Sequence, residues 1–225
     1  MARSHDVEAA AVLLSQAARA GTSFCGPLVR VLPVDGAAIS TLVRPFEQEV
    51  VCSTDEVSAR MTQWALDLGE GPGWQALASG EPVLVPDLES TRERWPLLVD
   101  AIAGSGMRAV SAFPLQVGWI DIGAVDLYSI DRAALDDEAV ADATRLVDIV
   151  ATQVLERAMA AIGEVEDDAP SARREVHQAT GMLVARFGVP PADALLILRA
   201  HAFSLGRPVL DVASDLVAHR IEFPR

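Results

Sequence analysis

Residues 109–128 read Ala109-Val-Ser-Ala-Phe-Pro-Leu-Gln-Val117, Gly118-Trp119, Ile120-Asp-Ile-Gly-Ala-Val-Asp-Leu-Tyr128. Two apolar-rich runs flank a break at Gly118, which is the pattern of two neighbouring strands. Toward the N-terminus, Pro82-Val-Leu-Val-Pro86 is a brief apolar strand. Gly36–Val43 and Glu47–Ser53 are two more, and the Arg44-Pro45-Phe46 link suits antiparallel neighbours. Helical segments alternate with them. In Asp6–Ala20, Ala10, Leu13, Leu14 and Ala17 fall at helical spacing. Val57–Leu68 is partly helical, Trp74–Ser79 is closed by Gly80, and Leu97–Ala103 is closed by Gly104-Ser-Gly106. This alternation, with hairpin-like links, predicts an α+β domain: an α/β sandwich on a largely antiparallel sheet.

The pattern changes at Asp136. Asp136-Asp137-Glu138 is an acidic first turn, favourable at a helix N-terminus. Val140, Ala143, Val147, Val150 and Val154 then recur every three or four residues. Such a stripe suits a dimer helix, with Val140, Val147, Val150 and Val154 at the contact, or packing on the sheet, and the two can coexist along one helix. Gly163–Pro170 is acidic and ends in proline, as a linker does. Beyond it, Ser171 is placed to cap a helix carrying Val176, Ala179, Thr180, Leu183 and Phe187 on one face, ended by Gly188. Pro190-Pro191 opens a second helix with Ala194, Leu195, Leu198 and Ala202, and a third spans about Val209 to His219. The expected plan is an N-terminal helix (1–21), a sensory domain with its exit helix (22–162), a linker (163–171) and an all-α three-helix domain (172–225).

The 225 residues are 51% hydrophobic, enough for packed cores, and 22% charged. No apolar run reaches the roughly 18 residues of a membrane helix, and the opening residues lack a signal peptide's apolar segment. A soluble cytoplasmic protein is expected. Cys25 and Cys52 lie far apart in sequence and outside any metal-type pair, so both are expected as free thiols in a reducing compartment. All 18 basic residues are arginine. Residues 1–172 hold 11 arginines against 27 acids, a balance of −16; the remainder holds 7 against 5, a balance of +2. An acidic body does not attract polyanions, so any nucleic-acid contact belongs to the C-terminal piece.

The C-terminal segment carries Gln178-Ala179-x-Gly181-Met182-Leu183, Gly188-Val189, Ala194-x-x-x-Leu198-Arg199-x-x-Ala202 and Leu210-x-Val212-Ala213. It resembles ANTAR domains, the RNA-binding modules of bacterial transcription antiterminators. The region from about Thr22 to Arg157 resembles a GAF domain through Leu68-Gly-Glu-Gly-Pro72, Gly80-x-Pro82-Val83, Pro86-Asp87-Leu88, Arg94-Trp95-Pro96, Pro114-Leu115 and Gly123–Tyr128. The resemblance implies that the GAF domain receives a signal, from a small-molecule ligand or a protein partner. It also implies that a homodimer presents ANTAR domains to stem-loops of a leader transcript, by binding and without a bond-making step. Ala179, Gly181, Ala194, Leu198, Ala202 and Ala213 are the ANTAR motif positions, Ala179 and Gly181 being small enough for helix packing. Thr180 stands where many members of the family carry lysine.

Arg174, Arg186, Arg199, Arg207 and Arg220 are the candidate RNA contacts, since guanidinium groups pair with phosphates and stack on splayed bases. His177 and His201 are candidate hydrogen-bonding neighbours. Glu70-Gly-Pro-Gly73 reads as a turn required by the fold or a loop over a pocket. Trp74, Trp95, Trp119 and Tyr128 read as core or pocket lining. No histidine falls within the GAF-like region, and two cysteines do not complete a four-ligand metal site. No metal, cofactor or catalytic residue is therefore assigned. The competing reading is a dimeric sensor acting through protein contact without RNA.

Overall fold

The computed structural model describes residues 2–46, 48–131, 135–162, 171–221 and 223, with side chains described except at 2, 3, 161, 162 and 171–174. The chain divides into units Met1–Gly163 and Glu164–Arg225. The first runs α1 (Ala2–Ala20), α2 (Cys25–Val31), β1 (Gly36–Thr41), β2 (Glu49–Ser53), α3 (Glu56–Leu68), α4 (Pro72–Ser79) and β3 (Val83–Val85). A 3₁₀ turn (Leu88–Thr91), α5 (Pro96–Ala101), β4 (Ala109–Val117), β5 (Ile120–Ser129) and α6 (Asp137–Ile162) complete it. The second holds α7 (Ser171–Phe187), α8 (Pro191–Ser204) and α9 (Val209–Val217). The expected linker, 163–170, lies outside the described residues, as does the side chain of Ser171.

Local chemistry sets the ends of these elements. The Asp55 side chain accepts from the Ser58 N–H, and Ser58 returns a bond to the Asp55 backbone, a capping box that opens α3. Gly69, at φ 69°, closes the same helix in the left-handed conformation that costs glycine least. Proline occupies the first turn of α4 and α5, where its missing N–H leaves no bond unmade.

The strands form one antiparallel sheet in the order β2-β1-β5-β4-β3. Period-two alternation divides its side chains between two faces. Ala37, Ile39, Phe113, Leu115, Val125 and Leu127 enter a core with Leu14 of α1, Leu28 of α2 and Leu146 of α6. Ala124 faces the opposite way, packing with Leu42, Leu66 of α3 and Leu77 of α4.

Three expectations are corrected. The helix predicted from Asp6 begins at Ala2, and Leu13, assigned to its apolar face, is 49% exposed while Ala10, Leu14 and Ala17 are buried. The α6 stripe is consumed inside the chain. Val147, Val150 and Val154 are buried and Val140 is half-buried, all in the core shared with α1 and the sheet, so these positions are not free to pair a second subunit. Cys25 and Cys52 are not free thiols but a disulfide. The unread helix α2 rests on β1, the neighbour of β2, and brings the two Cα atoms to 6.1 Å, inside the roughly 4.4–6.8 Å reach of such a bond.

Candidate nucleic-acid interface

In the C-terminal unit, Ala179, Leu183, Ala194, Leu198, Ala202, Val212, Ala213 and Leu216 form the core. Small residues where helices meet let their backbones approach, so Ala179, Ala194, Ala202 and Ala213 are explained by packing, and Leu198 is buried in the same core. Gly181 is not: it is exposed, and a Cβ built there would meet nothing within 4 Å. Helix packing therefore does not require it. Since glycine weakens a helix interior, Gly181→Ala is expected to stabilise the unit by about 0.5–1 kcal/mol, measurable by urea denaturation. A destabilised variant would show an unseen packing role.

The candidate arginines divide by what holds them. Arg186 is exposed and donates to the Phe223 carbonyl at 2.6 Å, with its guanidinium 5.8 Å from the centroid of the Phe187 ring. The Phe223 ring lies against His201, centroids 4.3 Å apart. Arg207 and Arg220 each hold Asp215 at 2.7 Å, which keeps its carboxyl below the usual range, chiefly through the bond from Arg207. The tail after α9 thus joins two groups, Arg186–Phe223–His201 and Arg207–Asp215–Arg220. Arg199 is half-buried on α8, His177 is exposed on α7, and the Arg174 side chain lies outside the described residues. Thr180 bonds the Val176 carbonyl one turn back, so its hydroxyl is occupied within the helix. Sequence reasoning missed Asp215 as an organiser, because nothing in residue order reveals that two arginines share it.

The first unit disperses the residues read as pocket lining. Glu70 accepts from the Leu98 N–H at 2.8 Å, capping the start of α5, so the Glu70–Gly73 turn has a structural task. Trp74 donates to the Ala65 carbonyl, Trp95 is buried beneath Arg94, and Tyr128 donates to Asp55 at 3.2 Å. Trp119 is 91% exposed at the β4–β5 turn. A cleft of about 300 Å³ opens elsewhere, between α3 and the segment after α5, lined by Val57, Arg60, Met61, Ile102, Ser105 and Met107 among others.

Asp126, at mid-strand in β5, is one of two acids in that apolar run, and nothing in residue order marks it as the buried one. It is 4% exposed and its Oδ1 has no hydrogen-bond partner. Burial pushes its carboxyl up to about 7. Thr62 of α3 likewise has a buried, unpartnered hydroxyl. Among the described residues, no group of three or more His, Cys, Asp or Glu side chains converges to hold a metal ion, and no single helix is long and apolar enough to cross a membrane.

Family models match this layout in both units. Residues 24–154 match the GAF domain and residues 167–217 the ANTAR domain. The chain is a GAF-ANTAR protein. Its GAF domain is similar in fold to the GAF domain of a phosphoenolpyruvate-protein phosphotransferase from Coxiella burnetii, with a TM-score of 0.52 and 14% identity over 70% of this chain and 98% of that one. It is similar also to a putative GAF sensor protein from Burkholderia vietnamiensis, with a TM-score of 0.51 and 17% identity over 70% and 96% of the two chains. At these identities the likeness concerns the fold alone. Among curated proteins, none matches the chain. In this GAF-ANTAR protein the α6 helix closes the GAF unit, and the arginine-bearing tail follows the last ANTAR helix.

Proposed function

We propose that this GAF-ANTAR protein is a cytoplasmic, signal-responsive antitermination regulator, whose GAF domain receives the input and whose ANTAR domains, paired in a homodimer, bind stem-loops of a leader transcript. The carrying observation is the ANTAR domain itself, with Arg186, Arg207 and Arg220 gathered at its tail and Arg199 on α8. Guanidinium groups supply both phosphate pairing and stacking, the two contacts that folded RNA with unpaired bases offers. The action is binding, with no bond made or broken in the RNA. The homodimer uses a face other than the buried valines of α6, and sedimentation of the full chain tests it.

A gel-shift titration with a two-hairpin RNA, repeated across salt concentrations, tests the RNA contact. Affinity should fall steeply with salt because phosphate neutralisation releases counterions. Arg186→Glu should weaken binding by roughly tenfold or more and flatten the salt slope by about 1. An unshifted RNA at low salt would reject this reading.

The second reading, a sensor acting by protein contact alone, is favoured by the Asp215 tie. One carboxylate partly neutralises two of the five candidate arginines, in a chain of net charge −14. Asp215→Asn separates the two readings: it should strengthen RNA binding if those arginines reach phosphate.

A further inference from the structure

We propose that the Cys25–Cys52 disulfide is a thiol-exchange site, through which a cellular thiol reductant or an oxidised dithiol changes the order of α2 and the edge strand β2. The inference adds an input to the proposed regulator and rests on the placement of the bond. Disulfides in a reducing compartment are the exception, and are usually catalytic or redox-sensing.

The two sulfurs differ in access. Cys25 is fully buried against the core shared by α1 and α6, whereas Cys52 is partly exposed on β2. Attack therefore falls on Cys52. A thiolate of the dithiol bonds to the Cys52 sulfur, the S–S bond breaks, and Cys25 leaves as a thiolate that is protonated by water once α2 loosens. The second thiol of the dithiol then displaces the Cys52 sulfur and closes its own disulfide. The protein gains two electrons and two protons, and the dithiol loses them; the reverse step starts from oxidised dithiol.

The elements that the bond joins lie at the margin of the core, where Val29, Val31 and Val51 pack only half-buried and β2 rests on α3. β2 is an edge strand paired only with β1, its ladder shifts register between Ile39 and Ser40 beside Cys52, and none of its residues is fully buried. The seven-residue α2 buries only Cys25 and Leu28. The long β4–β5 pairing stands apart from the bond. Reduction should thus loosen an edge and leave the sheet. The loosened helix packs on α1, which runs against α6, so the bond lies two helix contacts from the helix that leaves the GAF unit.

The test uses the full chain in buffers of graded reduced and oxidised dithiothreitol, and in parallel reduced and oxidised glutathione. Alkylation and mass spectrometry read the thiols; hydrogen exchange reads order. One reversible two-electron transition is expected in both series. In the reduced form, amides of α2 and β2 should exchange on the order of a hundredfold faster, since the 27-residue separation is no longer closed, while β4 and β5 keep their protection. Cys52→Ser should show the reduced-form exchange at every buffer ratio. A bond that millimolar glutathione leaves intact in the folded protein overturns the proposal. So does reduction that unfolds the whole GAF unit, or reduction without change in α2 and β2. RNA binding is measured on both forms. Its absence from both rejects the proposed function, while the thiol and exchange readouts still decide the redox site.

Discussion

Between pH 4 and pH 7 the GAF unit should lose stability on account of one side chain, and Asp126→Asn should remove that loss. Asp126 is buried on β5 with one carboxyl oxygen unpartnered, and desolvation pushes its carboxyl up from 3.8 to about 7. An acid whose folded-state value is raised is held neutral in the fold while the unfolded chain already ionises. Below pH 4 both states are protonated and the group is silent. As pH rises from about 4 to about 7 the unfolded state alone gains charge, and folding weakens by on the order of 4 kcal/mol in the limit of full desolvation. Above 7 the penalty is constant. Asp55 and Asp215, whose carboxyls are held low, act in the opposite sense at more acid pH, so the measurement is the difference between wild type and variant. Urea unfolding at pH 4.5, 6 and 8 should show the Asp126→Asn variant drawing ahead as pH rises, by about 2 kcal/mol or more at pH 8. Parallel pH profiles would mean that Asp126 is solvated or paired in the folded protein.

Gly123→Ala should lower GAF stability by about 3 kcal/mol, at the upper end of the cost of overpacking. Gly123 lies opposite Thr41 of β1 and Leu115 of β4, in the middle of the sheet. A Cβ built there would run into the backbone carbonyl of Ser40. No rotamer change relieves a clash with main chain, so β1 and β5 must separate where their ladder is continuous. For a unit of this size the midpoint temperature should drop by roughly 6–12 °C, read from the loss of β-sheet circular dichroism. A variant that melts with wild type would show that the two strands leave room for a methyl group.

Much of this architecture was legible because local rules agreed. The apolar runs 109–117 and 120–128, parted at Gly118, are β4 and β5 almost to the residue. Glycines at 69, 80 and 188 end helices where a left-handed residue is needed. Helix α2 escaped notice because Cys25-Gly26-Pro27 opens it with two poor helix formers and it lasts only two turns. Leu13 was misassigned because α1 buries a narrower stripe than its leucines suggest. The candidate arginines were found by charge and position, but their standing was not, since charge counting cannot tell a solvated guanidinium from one tied to Asp215.

Residue order alone was sufficient for the two-part plan, the strands, the helices other than α2, and the GAF and ANTAR resemblance, because each depends on periodicity, capping and turn chemistry within a few residues. The disulfide, the orphaned Asp126 carboxyl, the inward use of the α6 valines and the shared Asp215 emerged only on folding. Each depends on which side chains folding brings together or on what water can reach, and both are properties of the packed sheet and helices rather than of residue order.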